Sequence, residues 1–152
     1  MILLFLLVFF VVIPVIRYNK NSVTGNEYVN KQRNYLKDLE GVTDTLDDIT
    51  SLYLSGNIDY EEYQDDLDMV KAEFIIINQK YEQENENLSI KNYSDKQKKA
   101  VKAVQESYKL LETLLVCCQN DSADKDVLAY KYLTAQQAIQ EQMLIFVETT
   151  GG

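Results

Sequence analysis

From Tyr28 onward the apolar residues of this chain fall into stripes spaced three and four positions apart. That periodicity constrains the fold more than any other feature. Tyr28, Tyr35, Val42 and Ile49 repeat every seven residues, with Leu39, Leu46 and Tyr53 filling the alternate positions. Side chains at these offsets share one face of an α-helix, and that face has to be covered by another element. A second stripe runs through Tyr60, Tyr63, Leu67, Val70, Phe74, Ile77, Tyr81 and Leu88, and a third through Val101, Val104, Tyr108, Leu111, Leu115 and Cys118. The fourth, Leu128, Tyr132, Ala135, Ile139 and Phe146 with Gln142 or Met143 between, is the least regular. Five Gly and one Pro, Pro14, are the only helix breakers in the chain, so little opposes helix after the N-terminus.

The stripes predict helices over 28–54, 59–87, 95–118 and 123–149, each about 36 to 42 Å long. Capping chemistry separates them. Ser94 and Gln97 have the spacing of a capping box opening the third helix. Asn120, Asp121 and Ser122 interrupt the pattern, and each carries a side-chain oxygen able to cap the fourth. Matched lengths, short connections and one apolar face per helix specify an all-α fold, an antiparallel up-down-up-down four-helix bundle over residues 28–150. The alternative is an elongated helical hairpin that completes its core as a homodimer.

The stretch SLYLSGNIDYEEY, Ser51 to Tyr63, resembles the closing half of a calcium-binding EF-hand loop. With Gly56 at loop position 6, Asp59 falls at 9 and Glu62 at 12. Positions 1, 3 and 5 then fall on Ser51, Tyr53 and Ser55, so the carboxylates of the first half are missing. A helix-to-helix turn accounts for every residue without a metal. Gly56 suits the left-handed position after a helix end, Asp59 the next N-cap, Glu62 its capping-box partner, and Ile58 with Tyr63 a hydrophobic staple. We therefore expect no metal site and no cofactor.

Ahead of the bundle lies MILLFLLVFFVVIPVI, sixteen residues without a charge and about 24 Å of helix. With Tyr18 at an interface and Arg17 and Lys20 reaching outward, residues 1–18 read as a single transmembrane anchor in contact with membrane lipid. The rival reading, a cleaved signal segment, lacks a basic leading region and a clean small-x-small site, Ser22-Val23-Thr24 being a weak candidate. Residues 19–27 read as a polar juxtamembrane linker. Arg17, Lys20, Lys31 and Arg33 follow the stretch and no Lys or Arg precedes it. With Met1 as the true start, that count places the bundle on the cytoplasmic side of the cell membrane, and upstream lysines would reverse it. Three N-x-S/T sequons, Asn87, Asn92 and Asn120, fall in predicted loops and would suit an exported chain.

Function is bounded mainly by exclusion. The chain has no His, which removes Ser-His-Asp and Cys-His nucleophile activation and the usual zinc and carboxylate-bridged di-iron sites. With 24 acids against 15 bases, for a net charge of -9, nucleic acid is a poor partner. Cys117 and Cys118 are adjacent and point about 100° apart on a helix, which suits packing thiols better than a redox pair.

Glu61, Glu62, Asp65, Asp66 and Asp68 complement the macrodipole of the second helix. Lys91, Lys96, Lys98, Lys99 and Lys102 form the one basic cluster. They are expected to pair with Glu82, Glu84 and Glu86, or to offer a surface to anionic lipid or an acidic partner. Most of the eleven Tyr lie on or beside the helix seams, as core or as the lining of a groove. The expectation is a membrane-tethered, non-enzymatic interaction or scaffold module that meets another protein. The alternative is an exported, envelope-associated bundle that binds a ligand or partner.

Overall fold

The structure is a computed structural model describing residues 22–86 and 88–151, so the expected anchor lies outside the described residues. Its order is β1 (Ser22–Thr24), α1 (Gly25–Leu54), α2 (Tyr60–Asn85), β2 (Ser89–Lys91), α3 (Asp95–Asp121) and α4 (Lys125–Thr150). It is an all-helical protein in which four helices form a bundle, with one short strand pair at one end.

Helix ends follow local chemistry more than stripe ends. α1 starts at Gly25 because Thr24 caps it in a complete capping box. The Thr24 hydroxyl accepts from the Glu27 N–H, and the Glu27 carboxylate accepts from the Thr24 N–H. The expected linker over 19–27 is therefore strand at 22–24 and helix from 25. α3 runs on through Asn120 to Asp121, and Asp124, not Asn120, Asp121 or Ser122, caps α4 by accepting from the Asp126 and Val127 N–H groups. Asn120 thus sits in the last turn of a helix, whereas a loop was expected.

Cross-links fix how the helices lie. Gln32 meets Asn85 and Thr50 meets Tyr63, so α1 and α2 run in opposite directions. Gln64 meets Ser122 and Lys71 meets Gln119 across α2 and α3. Arg33 meets Thr150, while Asp47 meets Gln136, across α1 and α4. One end of the bundle therefore gathers the starts of α1 and α3 with the ends of α2 and α4, and the other gathers the two tight turns.

The four helices do not share the core equally. α1 buries thirteen residues and α3 nine, against five for α2 and four for α4. α1 and α3 pack against each other across the middle, and α3 with α4 makes the most extensive contact. Small residues, Ala100, Ala103 and Ser107, are among those α3 buries. α2 and α4 flank this central pair, and each leaves large apolar side chains in solvent: Met69, Ile75 and Ile76 on α2, and Tyr130, Leu133, Leu144 and Val147 on α4.

β1 and β2 pair in parallel, Ser22 with Ser89, Val23 with Ile90 and Thr24 with Lys91. The helical hairpin α1–α2 serves as their crossover. Gly25 sits against the β2–α3 loop, where a Cβ would lie 2.8 Å from the Asn92 carbonyl oxygen. The point at which the N-terminal stretch joins the bundle is thus held beside Lys91 and the start of α3.

Candidate functional site

The turn containing Gly56 is built as a helix stop followed by a helix start. Gly56 has φ of 79°, a conformation that penalises a side chain. Its N–H bonds to the Tyr53 carbonyl at 3.1 Å, and the Asn57 N–H bonds to the Leu52 carbonyl at 2.9 Å. These are the two bonds of a Schellman motif. Asp59 then caps α2, its carboxylate accepting from the Glu62 N–H at 3.0 Å. The Glu62 side chain, exposed among Glu61, Asp65 and Asp66, makes no return bond to Asp59, so the expected capping box is half formed. Tyr53, at the third position of the calcium-loop alignment, faces the core and is 4% exposed. The side-chain oxygens of Ser55 and Asp59 are committed to the turn. Among the described residues no group of three Cys, Asp or Glu is placed to hold a metal ion.

Ser94 and Gln97 open α3 with both bonds of a capping box. Gln97 also reaches across to Asn26 at the start of α1, donating to its side-chain oxygen at 2.6 Å. The cap therefore joins the beginnings of α1 and α3.

The basic cluster is exposed and largely without counter-charge. Lys98 pairs with Asp95 at 2.8 Å, whose carboxyl is held below its ordinary range by that ammonium. Glu84, expected to face the cluster, pairs with Lys31 of α1 at 2.8 Å. The Lys31 ammonium, and then the Tyr35 hydroxyl, keep the Glu84 carboxyl below the usual carboxylate range. Glu82 accepts from Asn78. Lys91, Lys96, Lys99 and Lys102 consequently make no ion pair among the described residues.

Charge is segregated along the bundle axis. The half holding the two tight turns, residues 40–72 and 108–137, carries fourteen carboxylates against four lysines. The half that receives the N-terminal stretch, residues 22–39, 73–107 and 138–152, carries ten carboxylates against nine cations. Almost the whole negative charge of the protein lies at the turn end.

Seven of the eleven tyrosines are core. Tyr28, Tyr35, Tyr53, Tyr63, Tyr81, Tyr108 and Tyr132 are buried, while Tyr60, expected on a seam, stands in solvent because α2 has only begun at that position. Tyr53 stacks on Tyr63 and Tyr81 on Tyr108, both with centroids 4.4 Å apart. The Tyr108 hydroxyl donates to the Tyr35 carbonyl at 3.1 Å, Tyr35 donates to Glu84, and Tyr63 bonds Thr50. Burial raises the pKa of all these phenols. Cys118 is buried near them and pushed up to about 12, chiefly by loss of solvent, whereas Cys117 is half-buried.

One open groove, mostly apolar in its lining, lies between α1 and α4 beside Asp47, Thr50, Ser51, Leu54, Tyr132, Leu133 and Gln136 among others. At its floor the Asp47 carboxylate accepts from the Tyr132 hydroxyl and the Gln136 amide. Sequence reasoning placed Tyr132 in a core stripe and did not pair it with Asp47, since nothing local links positions so distant. Both oxygens of the Asp47 carboxylate are thus engaged, one by each partner.

Comparison with protein-family models, with curated proteins and with solved structures returned no match.

Proposed function

We propose that this chain is a membrane-tethered, non-enzymatic interaction module. In this reading an up-down-up-down bundle is carried on a single span over residues 1–18 and holds its acidic half away from the bilayer, toward a basic surface on another protein. The observation that carries it is the axial segregation of charge, fourteen carboxylates to four lysines at the turn end against a near balance where the apolar stretch joins. An anionic membrane repels the first end and tolerates the second. The exposed apolar side chains of α2 and α4 add area of the kind that protein partners bury.

The groove beside Asp47 supports a second reading, an exported, envelope-associated bundle that binds a ligand or partner between α1 and α4. Two measurements on cells separate these readings. Under the tethered reading the chain stays in the membrane pellet through an alkaline carbonate wash, and release by the wash would remove the span. Protease shaving of intact cells then assigns the side. Degradation of the bundle is expected of the exported module, and protection would sink it.

A further inference from the structure

Lys91, Lys96, Lys99 and Lys102, which make no ion pair among the described residues, stand at the end of the bundle that receives the apolar stretch. Thr24, the last residue of β1, is paired with Lys91 of β2, and Gln97, one residue after Lys96, is bonded to Asn26. Lys96, Lys99 and Lys102 continue from Lys91 along the first two turns of α3, all exposed.

Their position runs against local preference. The N-terminus of a helix carries partial positive charge and favours carboxylates. α2 follows that preference with Glu61, Glu62, Asp65 and Asp66, whereas α3 places Lys96, Lys98 and Lys99 in its first five residues. Lys98 is paired with Asp95, but neither helix stability nor ion pairing among the described residues explains Lys96 and Lys99. Sixteen uncharged residues precede Arg17, and Arg17 and Lys20 lie between them and β1. The cluster therefore lies beside Ser22–Thr24, the first described residues after the stretch.

We propose that Lys91, Lys96, Lys99 and Lys102 form a docking face for the anionic headgroups of the bilayer that residues 1–16 enter, so that the bundle stands with the start of α3 against the lipid surface. This rests on the tethered reading, to which it adds an orientation and a lipid class.

Lysine acylation footprinting of the full chain mixed with vesicles tests it. One set is phosphatidylcholine alone, and the other contains about one-third phosphatidylserine. Tethering predicts flotation with both sets. Docking predicts that acylation of Lys96, Lys99 and Lys102 slows by about threefold or more only with the serine lipid. The protection should be lost in about 1 M salt, where the screening length falls to roughly 3 Å. Lys71, Lys109, Lys125 and Lys131 at the far end keep one rate throughout. The triple variant Lys96→Gln, Lys99→Gln, Lys102→Gln, with an unchanged circular dichroism spectrum, should lose the serine-lipid protection of Lys91. Flotation with equal acylation in both vesicle sets would overturn the docking face and leave the tether. Flotation with serine-lipid vesicles only would support the face and remove the tether, and failure to float with either removes both. Equal protection by inorganic phosphate with neutral vesicles would replace the lipid surface with a free anion and overturn the proposal.

Discussion

The Tyr53 phenol donates a 2.6 Å hydrogen bond to the Ser122 carbonyl, 69 residues away, and so ties the α1–α2 turn to the α3–α4 turn. Lys125 of α4 completes the clasp, its ammonium 4.2 Å from the centre of the Tyr53 ring. Ser122 is 1% exposed, so its carbonyl has little access to water when the phenol is removed. Tyr53→Phe should cost about 1–3 kcal/mol, the penalty for an unsatisfied buried acceptor. It should appear in urea denaturation as a lower midpoint with an unchanged slope. A wild-type midpoint would show that the two turns are held by packing alone.

Gly25→Ala should loosen the opposite end. Its Cβ would come 2.8 Å from the Asn92 carbonyl, a backbone atom that cannot rotate away. Either β2 shifts or α1 does, at about 1–3 kcal/mol, the usual cost of overpacking. Amide exchange should accelerate at Val23 and Ile90, while the middle of α3 keeps wild-type protection.

Raising the pH should unfold the protein through its tyrosines. A phenol whose pKa is raised by folding contributes fully below the unfolded value near 10, and that contribution is lost as pH climbs toward the folded value. Tyr63, Tyr81, Tyr108 and Tyr132 are all raised in this way, with burial the leading cause. At pH 11 each withdraws about 1 kcal/mol, a sum that rivals the net stability of a small domain. Tyrosinate absorbance and loss of helical ellipticity should therefore rise in one cooperative step above pH 10. Gradual ionisation of the phenols in a chain that stays helical would contradict this account.

The adjacent thiols should behave differently toward iodoacetamide. Cys118 is buried and held near 12, and the thiolate is the reactive form. At pH 8 Cys117 should be alkylated in the native protein, while Cys118 reacts only on denaturation. Equal native rates at the two positions would mean that α3 opens around residue 118.

The stripes were enough to read four helices and most of the core, because 3–4 spacing leaves no other way to bury Leu39, Leu46, Leu67 and Leu111 together. Sequence also carried the α1 cap, which went unread. Thr24-x-x-Glu27 has the same form as Ser94-x-x-Gln97, but Gly25 and Asn26 within it suggested a linker. The unequal sharing of the core was harder to see, since Gln32, Thr43, Thr50, Ala100, Ala103 and Ser107 are buried although none belongs to an apolar stripe. The ladder at residues 22–24 and 89–91 had no local signal at all. Three residues of parallel strand are too short for alternation to show, and their partners lie beyond a complete helical hairpin. The basic cluster could be read in the sequence, but its lack of counter-charge could not, because that depends on Lys31 of α1 having taken Glu84.

That ladder also sets an order of events during synthesis. Bringing β1 to β2 closes a loop made of α1 and α2 together, and the entropy of such closure is recovered only once those helices have already packed. While a ribosome is extending the chain, Ser22–Thr24 has nothing to pair with until Lys91 has cleared the exit tunnel, although α1 can form well before then. The start of the bundle is thus left open for the length of one hairpin's translation, an interval in which its N-terminal stretch can be delivered elsewhere before the end is closed.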